Sequence, residues 1–364
     1  MPDAPLVFTM WDRFDSQWYL QIAAHGYGFT SRRYSPEAFF PLYPLVIGVS
    51  QRLTGLPGVA LGVLWSNAFF LAALVLLGRL VTLRFGGELA WRTVLYMILF
   101  PTSFYFSAVY TESLFLLAAV AAFYAAERGR WWLAGLSGMA AALTRNLGVT
   151  LFVPLAWLAW EKGKRIERDG SPMRHDLLAR IAPLSLIPLG FALWTGYLWG
   201  TKGDPLRWMH VESAWGRVLA PPWTGLAIAV GRVLTPPPPP DEPFEPGTYV
   251  SAWRPQFAPL YSAIDGGTAL TWLTLAALGR RAGLGWPYVL YTLTGVLIPL
   301  SAPTIRAMTP LASMTRYVVV LFPVFIVLAR LAYRRPWLDT ALTAAFPAVQ
   351  ALLFILFTTW NWIA

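Results

Sequence analysis

Cysteine is absent from the 364 residues, which excludes disulfides and thiol-ligated metal sites and leaves the redox compartment unread. Charge is scarce as well: 13% of residues are charged and 57% hydrophobic, where a soluble domain carries roughly 25% charged residues. A water-facing surface cannot be built from so few charges. Histidine occurs three times, at His25, His175 and His210, in no zinc-binding spacing. Lysine supplies only Lys162, Lys164 and Lys202 among 28 basic residues, a composition bias without functional weight. The first ten residues, MPDAPLVFTM, have neither the length nor the basic flank of a cleavable signal. No Gly-rich phosphate loop and no Ser/His/Asp constellation is readable.

Long apolar runs are abundant. Segments 58–80 and 338–360 each reach the roughly 20 residues that span a hydrocarbon core of about 30 Å. The net charge of +10 would suggest nucleic acid in a soluble protein, but here the basic residues fall in short loops between apolar segments. Such loops mark the cytoplasmic side, so the charge encodes topology and no nucleic-acid partner is expected. Basic clusters at Arg79 to Arg92, Arg128 and Arg130, Lys162 to Arg174, Arg280 and Arg281, and Arg330 to Arg335 pair the crossings without conflict. The predicted crossings are 58–80, 89–107, 110–126, 131–144, 147–160, 180–200, 260–279, 284–301, 314–332 and 338–361. Segment 39–53, short and carrying Pro41 and Pro44, reads as a re-entrant or interfacial helix.

The expected fold is therefore an all-α polytopic membrane protein, one transmembrane domain over 1–364 with about ten crossings. A first outer segment, 9–37, would carry an amphipathic juxtamembrane helix, and a long outer loop would run over 201–257. The run PPPPP at 236–240 would stiffen that loop as polyproline II. Trp and Tyr number 19 and 15, and those in outer segments (Trp11, Trp18, Tyr19, Trp208, Trp215, Trp223) fit an interfacial aromatic belt.

Residues 11–27 read WDRFDSQWYLQIAAHGY. On a helix at about 100° per residue, Trp11, Trp18 and Ile22 share one face with Phe14 at its flank, and Asp15 falls inside that stripe. A carboxylate on a buried face needs a partner or a function. The plainer alternative is capping, with Asp12 as N-cap and Asp15 in the first turn favoured by the helix dipole.

This segment, with FFPLYPL (39–45), PTSFYFSAVYTESLFLL (101–117), AALTRNLGV (141–149), GDPLRWMHVESAWGR (203–217) and SMTRYVVVLFPVF (313–325), resembles the GPI mannosyltransferase II (PIG-V type) family, in a prokaryotic form. The motifs occur in order from 11 to 325. The resemblance implies a GT-C-like bundle in a bacterial or archaeal cytoplasmic membrane, with the active site on the outer face. It also implies a spanning helix ahead of the WD motif, which these residues do not include, as expected of a truncated N-terminus, and Phe14 stands where the family commonly has Trp. The implied reaction is an inverting transfer of a hexose, mannose by preference, from a polyprenyl-phosphate sugar to a lipid or glycan hydroxyl. That reaction needs a base for the hydroxyl proton and a cation for the departing lipid phosphate.

Asp15 matches the place where the class carries its essential carboxylate, with Asp12 in reserve. Glu112, at an outer helix mouth, would orient the acceptor, or would serve as a first-turn acid. Arg316 and Arg145 sit at outer helix ends, where a guanidinium can clamp phosphate bidentately; for Arg145 snorkelling is the alternative. His210, Glu212 and Trp215, spaced i, i+2 and i+5, are substrate-binding candidates rather than a metal set, with Trp215 stacking on a sugar ring. Tyr19 and Tyr317, in the first and last motifs, join them. No cofactor is assigned, and whether a divalent metal takes part is left open by the sequence. Two other readings compete: a lipid-sugar transporter or flippase, which should show internal repeats, and a non-catalytic membrane assembly subunit.

Overall fold

A computed structural model of the chain describes residues 5–29, 34–168, 173–235, 258–304 and 309–361. Among these residues no strand forms, and the only β-type pairing is an isolated bridge between Arg217 and Thr304. The proline run 236–240 lies outside the described residues.

The chain opens with α1 (Leu6–Thr9), α2 (Ser16–His25) and α3 (Leu42–Thr54). The bundle follows as α4 (Gly58–Phe85), α5 (Gly87–Leu99), α6 (Glu112–Glu127), α7 (Trp131–Thr144), α8 (Phe152–Arg168), α9 (Met173–Ile181) and α10 (Leu186–Lys202). After α11 (Arg207–His210) and α12 (Pro222–Leu234) come α13 (Ala258–Gly279), α14 (Trp286–Leu300), α15 (Met314–Val318), α16 (Pro323–Tyr333) and α17 (Pro336–Thr358).

Among the described residues three helices are long and apolar enough to cross a membrane: 58–85, 177–202 and 336–358. They present Leu71, Leu83, Leu193, Leu352 and Ile355 outward, as lipid-facing helices must in the absence of water. The most buried element is α6, an Ala/Leu/Phe helix that packs on α4, α7 and α8 at the centre of the bundle. Several predicted crossings are shorter helices than expected. At 1.5 Å per residue, the 13 residues of α5 extend only about 20 Å, whereas α7 has the bounds expected for 131–144.

The shortening has a local cause. Pro101 ends the α5 run, and 103–106 turns as a 3-10 helix. Arg145 is extended (φ −154°) and is followed by a 3-10 helix over Asn146–Leu151, so the predicted crossing 147–160 becomes α8 with an irregular entrance. The predicted crossing 314–332 breaks between Val318 and Pro323. At one end of the bundle, then, irregular backbone replaces the last turns of several helices and carries polar side chains inward. Segment 201–257, expected as a loop, contains α12, which lies against α13 and α14.

Helix α2 is held on α3 by a close approach at Gly48, where a Cβ would come within 2.6 Å of the Ala23 carbonyl oxygen. Only glycine fits there. Above this contact lies a second apolar cluster, rich in aromatics: Phe14, Trp18, Tyr19, Phe39, Tyr43, Tyr105, Tyr110 and Phe357. Each such ring buries roughly 150–250 Å², which anchors the polar groups described next.

Candidate active site

The site begins where α2 begins. Phe14 is 1% exposed and has a left-handed backbone (φ 53°), held by its ring against Trp360 at 5.3 Å. This kink separates Trp11 from α2. The single helical stripe expected from Trp11 to Ile22 is therefore broken, and Asp15 rather than Asp12 occupies the N-cap position. Neither acid caps in the expected way. Asp12 accepts a hydrogen bond from the Ser16 hydroxyl at 2.7 Å, and the Asp15 side chain makes no cap bond. Asp15 instead accepts from Arg316 Nη1 at 2.6 Å, while its backbone N–H donates to Tyr110 Oη at 3.2 Å. The Tyr110 hydroxyl in turn donates to the Arg13 carbonyl at 2.9 Å, fixing the turn that presents Asp15.

Glu112 is the first residue of α6 and is 1% exposed. Its Oε1 accepts from Arg145 Nη1 at 2.8 Å and lies 3.6 Å from Arg316 Nε. Its Oε2, also buried, has no hydrogen-bond partner among the described residues. The result is an alternating charge chain, Asp15–Arg316–Glu112–Arg145, drawn from four separate parts of the sequence. Buried charges persist only when paired in this way, since an unanswered one costs several kcal/mol.

A third cation, Arg217, joins from the segment between α11 and α12. The Tyr317 ring sits among three guanidiniums, 5.3 Å from Arg145, 5.2 Å from Arg217 and 5.3 Å from Arg316. Arg217 donates to Tyr317 Oη at 2.7 Å and to the Ala302 carbonyl at 3.0 Å. The strap that carries it is laced to 301–304 by Val218 N–H to Pro303 and Ala220 N–H to Ser301. Sequence reasoning missed Arg217, although it ends the motif 203–217; its inward direction depends on that strap.

Of the expected site residues, Asp15, Glu112, Arg145, Arg316 and Tyr317 come together. Tyr19 lies beneath them, 8% exposed, with Oη 3.5 Å from Thr111 Oγ1. Asp12 is adjacent through Ser16. His210, Glu212 and Trp215 do not form one cluster. His210 is more than half exposed and pairs with Asp204 at 2.8 Å, away from the charge chain. Glu212 lies 3.9 Å from Arg217, and burial pushes its carboxyl above the usual range with Arg217 opposing. The Trp215 ring packs on Tyr34 at 4.8 Å and edges onto Trp18 and Phe39, both at 6.2 Å. His210 thus stands in a surface ion pair and Trp215 in an aromatic wall, apart from the charge chain. Among the described residues no group of three or more His, Asp or Glu side chains is placed to hold a metal ion.

Residues 6–155 match the family described as Mannosyltransferase (PIG-V), a stretch that contains Asp15, Glu112 and Arg145 but not Arg316. No curated protein matches the sequence. The crystal structure of ArnT from Cupriavidus metallidurans bound to undecaprenyl phosphate aligns over 98% of this chain and 74% of that one, at 14% identity and a TM-score of 0.51. The apo oligosaccharyltransferase of Archaeoglobus fulgidus aligns over 96% of this chain and 52% of its own, at 12% identity and a TM-score of 0.40, too low to bear on the argument. Identity at the level of the first speaks to fold alone. Residues 6–155 are thus similar to the mannosyltransferase (PIG-V) family, and the chain as a whole is an integral membrane protein that shares the helical fold of ArnT.

Proposed function

We propose that this chain transfers a hexose, mannose by family preference, from a polyprenyl-phosphate sugar to an acceptor hydroxyl at the outer membrane face, with inversion. The observation that carries the reading is the buried chain Asp15–Arg316–Glu112–Arg145. It puts a carboxylate suited to a base within contact of guanidiniums suited to a lipid phosphate. The undecaprenyl phosphate bound by ArnT is a phosphate of the class expected here as leaving group.

In the reaction the acceptor oxygen attacks C1 of the sugar from the face opposite the phosphate. The C1–O bond breaks, and its electron pair leaves on the lipid phosphate. Asp15 takes the hydroxyl proton. Arg316, Arg145 and Arg217 hold the phosphate as it gains charge. Without donor, Arg316 is committed to Asp15 at 2.6 Å. Donor phosphate competes for that guanidinium and so frees the carboxylate, while Glu112 offers its unpartnered Oε2 to the acceptor hydroxyl. The outer-face placement rests on the basic loops at the opposite end of the bundle.

The test is transfer from radiolabelled polyprenyl-phosphate-mannose by the full chain in vesicles, beside the glucose analogue and GDP-mannose. Label should reach acceptor from the lipid-linked mannose alone. Transfer from GDP-mannose without lipid intermediate would overturn the donor assignment. Movement of intact lipid-sugar across the bilayer without transfer would favour a flippase.

A further inference from the structure

Asp265 is a carboxylate that the reaction above does not use. It stands on α13, an apolar helix of 22 residues, and is 4% exposed. An acid at such a place is expensive unless another group answers it. Its carboxylate faces the backbone N–H groups of Met314 and Thr315. These are the first two residues of α15, the five-residue helix whose third residue is Arg316.

Helix α15 is poorly equipped to hold itself. The first N–H groups of any helix lack partners within it. Ser313, at the N-cap, has a left-handed backbone (φ 73°) and makes no side-chain cap bond. The Met314 N–H donates to the Leu311 carbonyl at 3.0 Å, and Asp265 adds a charged acceptor at the same end from another helix. The far end is held from the same helix: Trp272 Nε1 donates to the Val318 carbonyl, the last residue of α15, at 2.9 Å. Residues seven apart lie on one face of a helix, two turns from each other. One face of α13 therefore grips both ends of the peptide that carries Arg316.

We infer that Asp265 and Trp272 are positioning residues that set the reach of Arg316 toward Asp15 and the donor phosphate. The inference rests on the donor-binding reading of Arg316. A guanidinium displaced by about 1 Å can cost on the order of a hundredfold in rate, so losing the α15 anchor should appear in use of the lipid-linked donor. Neither side chain need touch substrate.

The experiment is a double-mutant cycle on the full chain in vesicles, following KM for the polyprenyl-phosphate-mannose donor and kcat separately. Asp265→Leu should lower kcat/KM at least about tenfold, mainly through donor KM. Asp265→Asn, which keeps an acceptor oxygen, should stay within about threefold of wild type. In an Arg316→Lys background, Asp265→Leu should cost less than about twofold, because the group it positions is already gone. Should Asp265→Leu fail to insert, Trp272→Phe keeps an aromatic ring against Phe100 and Phe325, removes the Val318 bond, and is put through the same cycle. An effect that persists in full in the Arg316→Lys background, or no effect of either variant alone, would overturn the inference while leaving the role of Arg316 intact. A wild-type Arg316→Lys enzyme would instead overturn the reading of Arg316, and this inference with it.

Discussion

Asp15→Asn separates the proposed base from the fold. The ion pair it alters joins Arg316 Nη1 to Asp15 Oδ2 at 2.6 Å, with the two side chains 8% and 21% exposed. Removing one partner of a fully buried pair costs about 3–5 kcal/mol, because the other charge is left unanswered. Here three features reduce that. The carbonyl oxygen of Asn still accepts from Arg316; Glu112 Oε1 remains 3.6 Å from Arg316 Nε; and the carboxylate is a fifth exposed, so water screens the pair. What remains is about the worth of one hydrogen bond, roughly 1 kcal/mol. The chemical loss is larger. A positioned base contributes 10²- to 10⁴-fold, which is about 2.7–5.4 kcal/mol of barrier.

The expected outcome is normal membrane insertion, a melting midpoint lowered by about 4 °C or less, and transfer reduced at least about a hundredfold. Initial rates in vesicles and thermal unfolding followed by tryptophan fluorescence measure the two quantities on one preparation. Asp12→Asn is the control, since Asn retains an oxygen for the Ser16 hydroxyl that Asp12 accepts at 2.7 Å. Wild-type rates in Asp15→Asn would refute the base assignment. An inactive Asp12→Asn beside an active Asp15→Asn would move the role to Asp12.

Glu112→Gln removes the carboxylate that answers two guanidiniums and is itself 1% exposed, so it should cost on the order of 3 kcal/mol and melt well below Asp15→Asn; equal midpoints would mean the bridge is not a stabilising element. Burial pushes the Asp12 carboxyl above its ordinary 3.8, with the Ser16 hydrogen bond and Arg13 opposing. A raised acid stabilises the fold fully below 3.8 and loses that contribution as pH rises through its folded value. Asp12→Asn should therefore raise the melting midpoint at pH 7, with the gain vanishing below about pH 3.8; a gain confined to acid pH would reverse the sign. For topology, cysteine at exposed Ser213 should react with an impermeant thiol reagent from outside and cysteine at exposed Arg130 should not, and the opposite pattern would turn the site to the cytoplasm.

The apolar runs behind 58–85, 177–202 and 336–358 were legible because length and hydropathy alone decide whether a helix can face lipid. Asp15, Glu112, Arg145 and Arg316 were legible as candidates for a related reason, since a charge at the end of an apolar run demands an explanation. Their mutual pairing was not: Asp15 and Arg316 are 301 positions apart, and no local pattern links them. The kink at Phe14 was hidden too, because a left-handed backbone at a bulky residue is imposed by tertiary packing, here against Trp360. Asp265 left a readable signal, a lone acid inside an apolar run, but the backbone groups it serves lie on another helix.

The early ends of the helices around the site connect this architecture to its charge balance. Irregular backbone at membrane depth survives only where protein surrounds it, and here it is surrounded by Tyr105, Tyr110 and the ion pairs themselves. Arg145, Arg217 and Arg316 around Tyr317 face Asp15 and Glu112, leaving one positive charge in the inner cluster, with Glu212 more loosely set at 3.9 Å from Arg217. In the proposed reaction a lipid phosphodiester would bring the single negative charge that answers it. When the C1–O bond breaks, the phosphate gains a second negative charge as Asp15 loses its own to the proton. The total charge inside the pocket is then the same before and after transfer, so the low-dielectric surroundings that make each charge expensive impose little penalty on the step. That balance requires the base and the phosphate clamp to share one cluster, as the Asp15–Arg316 contact arranges.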